Sequence, residues 1–335
     1  MPYTLFQGGR RRRRRGRAGL ALLVLVAGVA AAAGALWEPG RDAPDGRDRG
    51  APRGAGVLGG GGTTPLAGGG TAPSPLGVRL EAGGDTVRAR FRHMPRAGLL
   101  FDIDTGRVLW RHEPTRVLPI ASLTKMMTAL VVTGRLGRGA RVPITREALH
   151  YRGSGVGLLP RGRRIRVETM LYGLLLPSGN DAAIALAQRA AGTVPRFVDA
   201  MNARARRMGL LCSRFSSPHG FKDRGNHSCA GDMAALARAV LRVPRLARVV
   251  RRREAVLPFP TKGGKLYLYN SNPLLRQGYR GITGIKTGYT GGAGRCFVAT
   301  ARRGPLELGV VLLHSPDPAG QARKLLDRGF ATEGR

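Results

Sequence analysis

The sequence is poor in aromatic residues, only 5% of its 335 positions, and in lysine, found only at 125, 222, 262, 265, 286 and 324. Acidic residues number 20 against 56 basic ones, a net charge of +36 carried almost wholly by arginine. Such a charge suits a nucleic-acid binder, a protein facing anionic membrane or wall polymer, or a bias of composition. Scarce aromatics remove stacking platforms, and the arginines are scattered instead of lying along one helix, so no nucleic-acid partner is expected. No Walker-type glycine loop is present, and none of the 6 histidines has a Gly-x-Ser-x-Gly partner. Where arginine is the default cation, a lysine marks a place where its proton or compact charge is needed.

Acidic residues are missing altogether before Glu38, while residues 10–15 and 17 are all arginine. Between Arg17 and Glu38 lie 20 uncharged, mostly apolar residues, Ala18 to Trp37. That length suits a membrane-spanning helix and exceeds a signal-peptide core, although Ala31-Ala32-Ala33 and Ala33-Gly34-Ala35 offer cleavage sites. Residues 1–17 are therefore read as a basic cytoplasmic segment and 18–37 as a transmembrane anchor, with a cleaved signal as the alternative. Everything after Trp37 is expected outside the cytoplasm. Residues 38–86 are rich in Gly, Pro and Ala and read as a disordered linker, unable to bury enough surface to offset its ordering entropy.

Cysteines are few, at 212, 229 and 296. In an exported chain a pair is expected to oxidise. Cys212 and Cys229 bracket a 16-residue loop, Ser213 to Ser228, and are the expected disulfide; Cys296 lies in an apolar strand. Zinc held by these cysteines with His219 and His227 is the rival, but the spacing matches no common zinc pattern, and no metal is expected.

The domain is expected over residues 87–335. Ala97 to Ile103 and Arg107 to Trp110 read as strands joined at Asp104-Thr105-Gly106. Helices are predicted from Ser122, over 167–176, 182–191, 195–208 and 231–243, with Asp181 capping the third of these. Strands are predicted over 281–287, 296–301 and 306–313, and a closing helix over 321–329. Strands at both ends with helices between predict an α+β fold, an antiparallel sheet flanked by helices with an adjoining helical lobe.

Within Ile120-Ala121-Ser122-Leu123-Thr124-Lys125-Met126-Met127, the apolar residues 123, 126, 127, 130 and 131 form a helical stripe. Ser122 and Lys125, three apart, are neighbours beside it. No carboxylate lies within four residues of Lys125, and desolvation favours the neutral amine. A neutral amine beside a hydroxyl is a general base beside a nucleophile. A serine capping an ordinary helix with a snorkelling lysine is the plainer reading of the same pair.

Two further motifs decide between these readings. Ser178-Gly179-Asn180 follows Ser122 by 56 residues, and Lys286-Thr287-Gly288 follows Ser178 by 108. Each alone reads as a turn or a strand end; the ordered set is the signature of β-lactamases and penicillin-binding proteins. With the blocks Phe101-Asp102 to Val108-Leu109, Leu176 to Ala183, Phe197 to Asn202, Ser217-Pro218-His219-Gly220 and Gly284 to Thr290, the sequence over about 94–330 resembles the serine-type D-alanyl-D-alanine carboxypeptidases, the low-molecular-weight penicillin-binding proteins.

The resemblance implies a β-lactamase/transpeptidase-like fold and a cofactor-free hydrolase. Its substrates would be peptidoglycan stem peptides, and β-lactams would inhibit it. It implies Ser122 as acyl-ester nucleophile, Lys125 as general base and Ser178 as proton relay. Asn180, Lys286, Thr287, Gly288 and Tyr289 would bind substrate, with the N–H groups of Ser122 and Tyr289 as oxyanion hole. The family's carboxylate-binding arginine, seven residues before the Leu-Leu of the closing helix, is replaced by Pro318, with Asp317 beside it; Arg323 or another arginine is left to substitute, and an endopeptidase or transpeptidase variant stays open. So does a wall-binding protein of the same fold without catalysis. No glutamate lies between Glu168 and Glu254, so slow release of penicillin is expected. The family's members carry a further C-terminal β domain and a membrane-surface helix. The chain runs five residues past Phe330, so the tethering role is expected to fall to the N-terminal anchor.

Overall fold

A computed structural model of the chain describes residues 76–334 except 82, 222, 223, 261 and 262. The basic segment, the expected span over 18–37 and the linker to residue 75 lie outside the described residues. Among the described residues no helix is long and apolar enough to cross a membrane.

The chain opens with the hairpin β1 (Ala97–Asp102) and β2 (Val108–His112). A short β3 (Leu118–Pro119) leads through a 3-10 turn, Ala121–Thr124, into α1 (Lys125–Arg135). Then come β4 (Arg141–Pro143), α2 (Arg146–Leu149), β5 (Arg164–Arg166), α3 (Val167–Leu175), α4 (Asn180–Ala191) and α5 (Val194–Arg207). After β6 (His227–Ser228) follow α6 (Ala230–Arg242) and α7 (Pro244–Val250). A hairpin of β7 (Glu254–Pro258) and β8 (Lys265–Tyr269) and the short α8 (Pro273–Arg276) complete the middle of the chain. The end is β9 (Ile282–Thr290), β10 (Gly294–Arg303), β11 (Leu306–Leu313) and α9 (Pro318–Glu333).

The expected antiparallel sheet forms in the order β2-β1-β11-β10-β9, joining both ends of the described chain. Its pleat divides the core. Leu99, Phe101, Val298 and Val311 face the helical lobe, whereas Leu100, Phe297, Val310 and Leu312 pack beneath α9 with Leu325 and Leu326. A sheet covered on both faces gives unbroken apolar strands, which is why β11 reads Leu-Glu-Leu-Gly-Val-Val-Leu-Leu without alternation.

Three details depart from the sequence reading. The Ser122 segment begins as a 3-10 turn, and in α1 every residue from Lys125 to Val132 is buried, so α1 is a central helix and not one with a single apolar stripe. Asp181 does not cap α4. Gly179 holds the N-cap position, and the buried Asp181 carboxylate accepts from the N–H groups of Val156, Gly157 and Ala182 at 2.7–3.1 Å, fastening the 153–157 loop. Last, residues 76–81 and 83–86 lie against the domain. Leu76, Val78 and Leu80 pack on the core, and the buried Arg238 guanidinium donates to the carbonyls of Leu76, Gly77, Ile103 and Asp104. A guanidinium with five donors can replace strand pairing as the fastening for an irregular segment.

Candidate active site

The 3-10 turn carries Ser122 to the rim of the helical lobe, and the next turn of α1 buries Lys125 completely. Lys125 Nζ lies 2.8 Å from Ser122 Oγ, 2.7 Å from Asn180 Oδ1 and 2.9 Å from the carbonyl oxygen of His219. Burial, then the charge of Lys286, hold the Lys125 pKa well below the usual lysine range, against a smaller opposing pull from Asp181. Asn180 Oδ1 and the His219 carbonyl only accept, so in the neutral form that burial favours, two N–H bonds go to them and the lone pair is left for the Ser122 hydroxyl proton. The geometry places a serine hydroxyl in contact with an amine able to take its proton.

Asn180 is the first residue of α4, and its Nδ2 donates to the Arg152 carbonyl at 2.5 Å. Both ends of its amide are therefore occupied, and it positions Lys125. Its expected partner Ser178 behaves differently. Ser178 lies in the left-handed region at φ +69, a cost of ~1–3 kcal/mol for a serine. Its buried Oγ has no hydrogen-bond partner among the described residues, and it lines the cleft beside Ser122. The hydroxyl thus makes no contact with Lys125 in this state.

The opposite wall is β9, the edge strand of the sheet. Lys286 is buried and donates to the Thr287 carbonyl at 2.8 Å; burial pulls its pKa down to about 7. Thr287 Oγ1 lies 2.6 Å from Ser271 Oγ. Gly288 fits for a reason other than room for a ligand: a Cβ there would stand 3.1 Å from Ala121 Cβ, Ile120 O and Ser122 N, so glycine lets the strand lie against the Ser122 turn. Tyr289 is 69% exposed at the rim. Ser122, Ser178, Ser271, Thr287, Gly288, Tyr289, Arg295 and Pro318 share one cleft of about 310 Å³.

Cys212 and Cys229 are bonded, with Cα atoms 5.5 Å apart. Their loop meets the site through backbone: the His219 carbonyl reaches Lys125, and the Pro218 carbonyl accepts from Thr128 Oγ1 at 2.6 Å. Gly220, at φ +71, sits where a Cβ would be 2.0 Å from the Ala121 carbonyl oxygen. The one three-residue group of possible ligand atoms among the described residues is Cys212, Cys229 and Asp232, whose sulfurs are consumed by the disulfide. His219 Nδ1 accepts from the Phe221 N–H, and His227 lies on β6.

Ser271, the His219 carbonyl and the Arg152 carbonyl carry no signal in the side-chain chemistry of the sequence. Pro318 begins α9 and lines the cleft, and Asp317 caps that helix through Gly320 N–H. Arg323 does not take its place: the guanidinium donates to Gln277 at 2.6 Å and lies over the Tyr279 ring, outside the cleft lining.

A family model described as D-alanyl-D-alanine carboxypeptidase matches residues 86–317. The chain is 34% identical over 247 residues to a D-alanyl-D-alanine carboxypeptidase of Bacillus subtilis, covering 71% of this chain and 63% of that protein. A D-alanyl-D-alanine carboxypeptidase of Mycobacterium tuberculosis is 33% identical over 241 residues, covering 70% of this chain and 81% of its own length. The structure of a Streptomyces DD-transpeptidase superposes with a TM-score of 0.67 at 31% identity, covering 73% of this chain and 100% of that one. The chain spans 61–63% of the length of the first curated relatives it matches.

Proposed function

The chain belongs to the D-alanyl-D-alanine carboxypeptidase family of serine peptidases, and from that premise we propose that it hydrolyses the terminal D-Ala-D-Ala bond of peptidoglycan stem peptides. The observation that carries the reading is the 2.8 Å contact between Ser122 Oγ and the buried Lys125 amine. Ser122 Oγ attacks the carbonyl carbon between the two D-alanines as Lys125 takes its proton. The N–H groups of Ser122 and Tyr289 receive the oxyanion, where one donor is typically worth ~10²–10³ in rate. The Ser178 hydroxyl relays that proton, giving its own to the departing D-alanine nitrogen as it takes one from Lys125, which leaves Ser178 a hydroxyl and Lys125 a neutral amine. Water then releases the acyl group from Ser122 and regenerates the hydroxyl.

Asn180 holds Lys125 in line and, once its partners shift, the substrate amide; Lys286 and Thr287 supply potential and a hydroxyl for the substrate's far end. β-Lactams would acylate Ser122 by the same route. The domain would work outside the cytoplasm, tethered by residues 18–37 and held off the membrane by the linker. Detergent extraction and N-terminal sequencing of the exported protein test that placement: a mature N-terminus beyond residue 37 would refute a retained anchor.

The structural likeness to a DD-transpeptidase favours a second outcome for the same acyl-enzyme, capture by an amine in place of water. The full chain incubated with a pentapeptide ending in D-Ala-D-Ala should release D-alanine, and Ser122→Ala should abolish release. Product appearing only when an acceptor amine is added would assign transpeptidation. Release only from cross-linked peptides would assign an endopeptidase, and no release with no β-lactam adduct would refute catalysis.

A further inference from the structure

Away from the cleft, another cavity of about 300 Å³ opens between the β4–β5 ribbon, the start of α3 and the tip of the β7–β8 hairpin. Arg141, Arg164, Arg166 and Thr169 line it, with Phe259 on the hairpin side. It shares no residue with the cleft around Ser122, and no acidic side chain lines it among the described residues.

Strand register brings the three arginines together. On the paired strands Arg141 lies opposite Arg166, and Val142 lies opposite Ile165. Val142 and Ile165 are buried, so the alternate residues Arg141, Arg164 and Arg166 share the outer face of the ribbon. Like charges directly opposite one another oppose strand pairing. The acid nearest in sequence to Arg166 is Glu168, and it is taken by Arg245 at 2.7 Å, with Arg138 at 3.9 Å. None of the three arginines has a carboxylate partner among the described residues.

The start of α3 adds to the same field. Arg166 is its N-cap residue, and no side chain caps the helix there. A cation at that place faces the positive end of the helix dipole, where an aspartate or serine is the favourable choice. Thr169, in the first turn, is only 6% exposed and lines the cavity, and its hydroxyl has no hydrogen-bond partner among the described residues. Repelling cations, an uncapped helix start and an unpaired buried hydroxyl thus coincide, and an anion in the cavity offsets all of them at once.

We infer that this cavity binds a phosphate group, either free phosphate or the headgroup of an anionic phospholipid, through the three guanidiniums, the Thr169 hydroxyl and the first N–H groups of α3. One guanidinium satisfies a carboxylate through two parallel bonds. Three of them around a helix N-terminus and a hydroxyl match the additional oxygens of a tetrahedral phosphate. The α3 helix has 9 residues, and its far end leads through Pro177 to Ser178. At 1.5 Å per residue an occupant would lie about 14 Å from that turn and take no part in the chemistry at Ser122.

The full chain is titrated calorimetrically at physiological ionic strength with inorganic phosphate, with glycerophosphoglycerol (the deacylated headgroup of phosphatidylglycerol) and with acetate. Saturable binding of a phosphate probe is expected; the tighter of the two names the source, and saturation by neither overturns the inference. Arg166→Gln should weaken that binding about 10- to 100-fold, the range for one charge-assisted hydrogen bond. Thr169→Val should weaken it about 2- to 10-fold. Arg206→Gln, on the exposed side of α5, should leave it unchanged. An equal loss in Arg206→Gln would mean attraction by the whole chain's charge and overturn the site, and acetate binding as tightly would overturn its assignment to phosphate. Without phosphate, Arg166→Gln should unfold at or above the wild-type midpoint, because repulsion at the ribbon and helix start is relieved. With saturating phosphate the order should reverse. A variant that unfolds earlier in both conditions would show that Arg166 serves the fold alone, which overturns the inference. Acylation of Ser122 by benzylpenicillin should be equal in all variants, and a fall that tracks the loss of phosphate would overturn the separation of this cavity from the cleft.

Discussion

Replacing Cys212 and Cys229 together by serine separates what the disulfide does for stability from what its loop does for catalysis. The bond joins residues 17 apart. Chain entropy for a closed loop of that length gives ~3 kcal/mol, lost from the folded state's margin because the unfolded chain gains freedom. For a domain of this size that is a fall of roughly 6–12 °C in midpoint. The loop's native course has other supports. Asn202 bonds both the N–H and the carbonyl of Phe215, Asn226 Nδ2 donates to Ser216 and Ser217, and β6 pairs with β3. The His219 carbonyl should therefore stay on Lys125 when the cross-link is gone. Thermal unfolding with and without reductant, alongside benzylpenicillin acylation at 25 °C, checks both halves. The expected result is the large loss of midpoint with acylation within about threefold of wild type, well inside the ~10²–10⁴ at stake when a general base is lost. A loss under ~1 kcal/mol would refute the unfolded-state argument. Acylation collapsing in a protein that is still folded would refute the claim that the loop is held by its own hydrogen bonds.

Three further outcomes follow from the site. Gly220→Ala places a methyl 2.0 Å from the Ala121 carbonyl oxygen and 2.4 Å from Thr124 Oγ1 at a positive φ. It should cost ~1–3 kcal/mol or more in chemical denaturation and, by shifting Ser122, about 10²-fold in acylation. In the pH profile of acylation, activity should rise as Lys125 loses its proton and fall as Lys286 loses its charge near pH 7. Because the Lys286 charge lowers the Lys125 pKa, Lys286→Ala should move the rising limb to higher pH; an unmoved limb would show the two are uncoupled. Finally, with no glutamate between 168 and 254, the penicillin adduct on Ser122 should persist for hours in intact-mass measurements, and rapid loss would mean another group activates the deacylating water.

Much of this fold was legible because its signals are local. The β1–β2 hairpin is announced by Asp-Thr-Gly between apolar runs, and α3, α5, α6 and the last three strands fall within a few residues of their predicted bounds. The β7–β8 hairpin was not, since its exposed face carries Val256, Tyr267 and Tyr269 and blurs the alternation. At the site, Ser122, Lys125, Ser178, Asn180, Lys286, Thr287 and Gly288 are legible as candidates because three motifs in the right order carry a family resemblance, and the structure brings them around one cleft. The His219 and Arg152 carbonyls are not, because every residue owns a carbonyl and only the fold says which one is aimed. Asp181 differs from its expected role for the same reason: a carboxylate near a helix start suggests a cap, and only the position of the 153–157 loop shows that it serves Val156 and Gly157 instead. Arg166 is one arginine among many until strand register sets it opposite Arg141.

The central claim, that the buried Lys125 amine activates Ser122, is tested most directly by the rate at which benzylpenicillin adds to the full chain and to Lys125→Ala, followed by intact-mass spectrometry with peptide mapping. The account predicts one adduct, on Ser122, absent from Ser122→Ala and formed about 10²–10⁴-fold more slowly in Lys125→Ala. An adduct on any other residue, or wild-type acylation without Lys125, would contradict it.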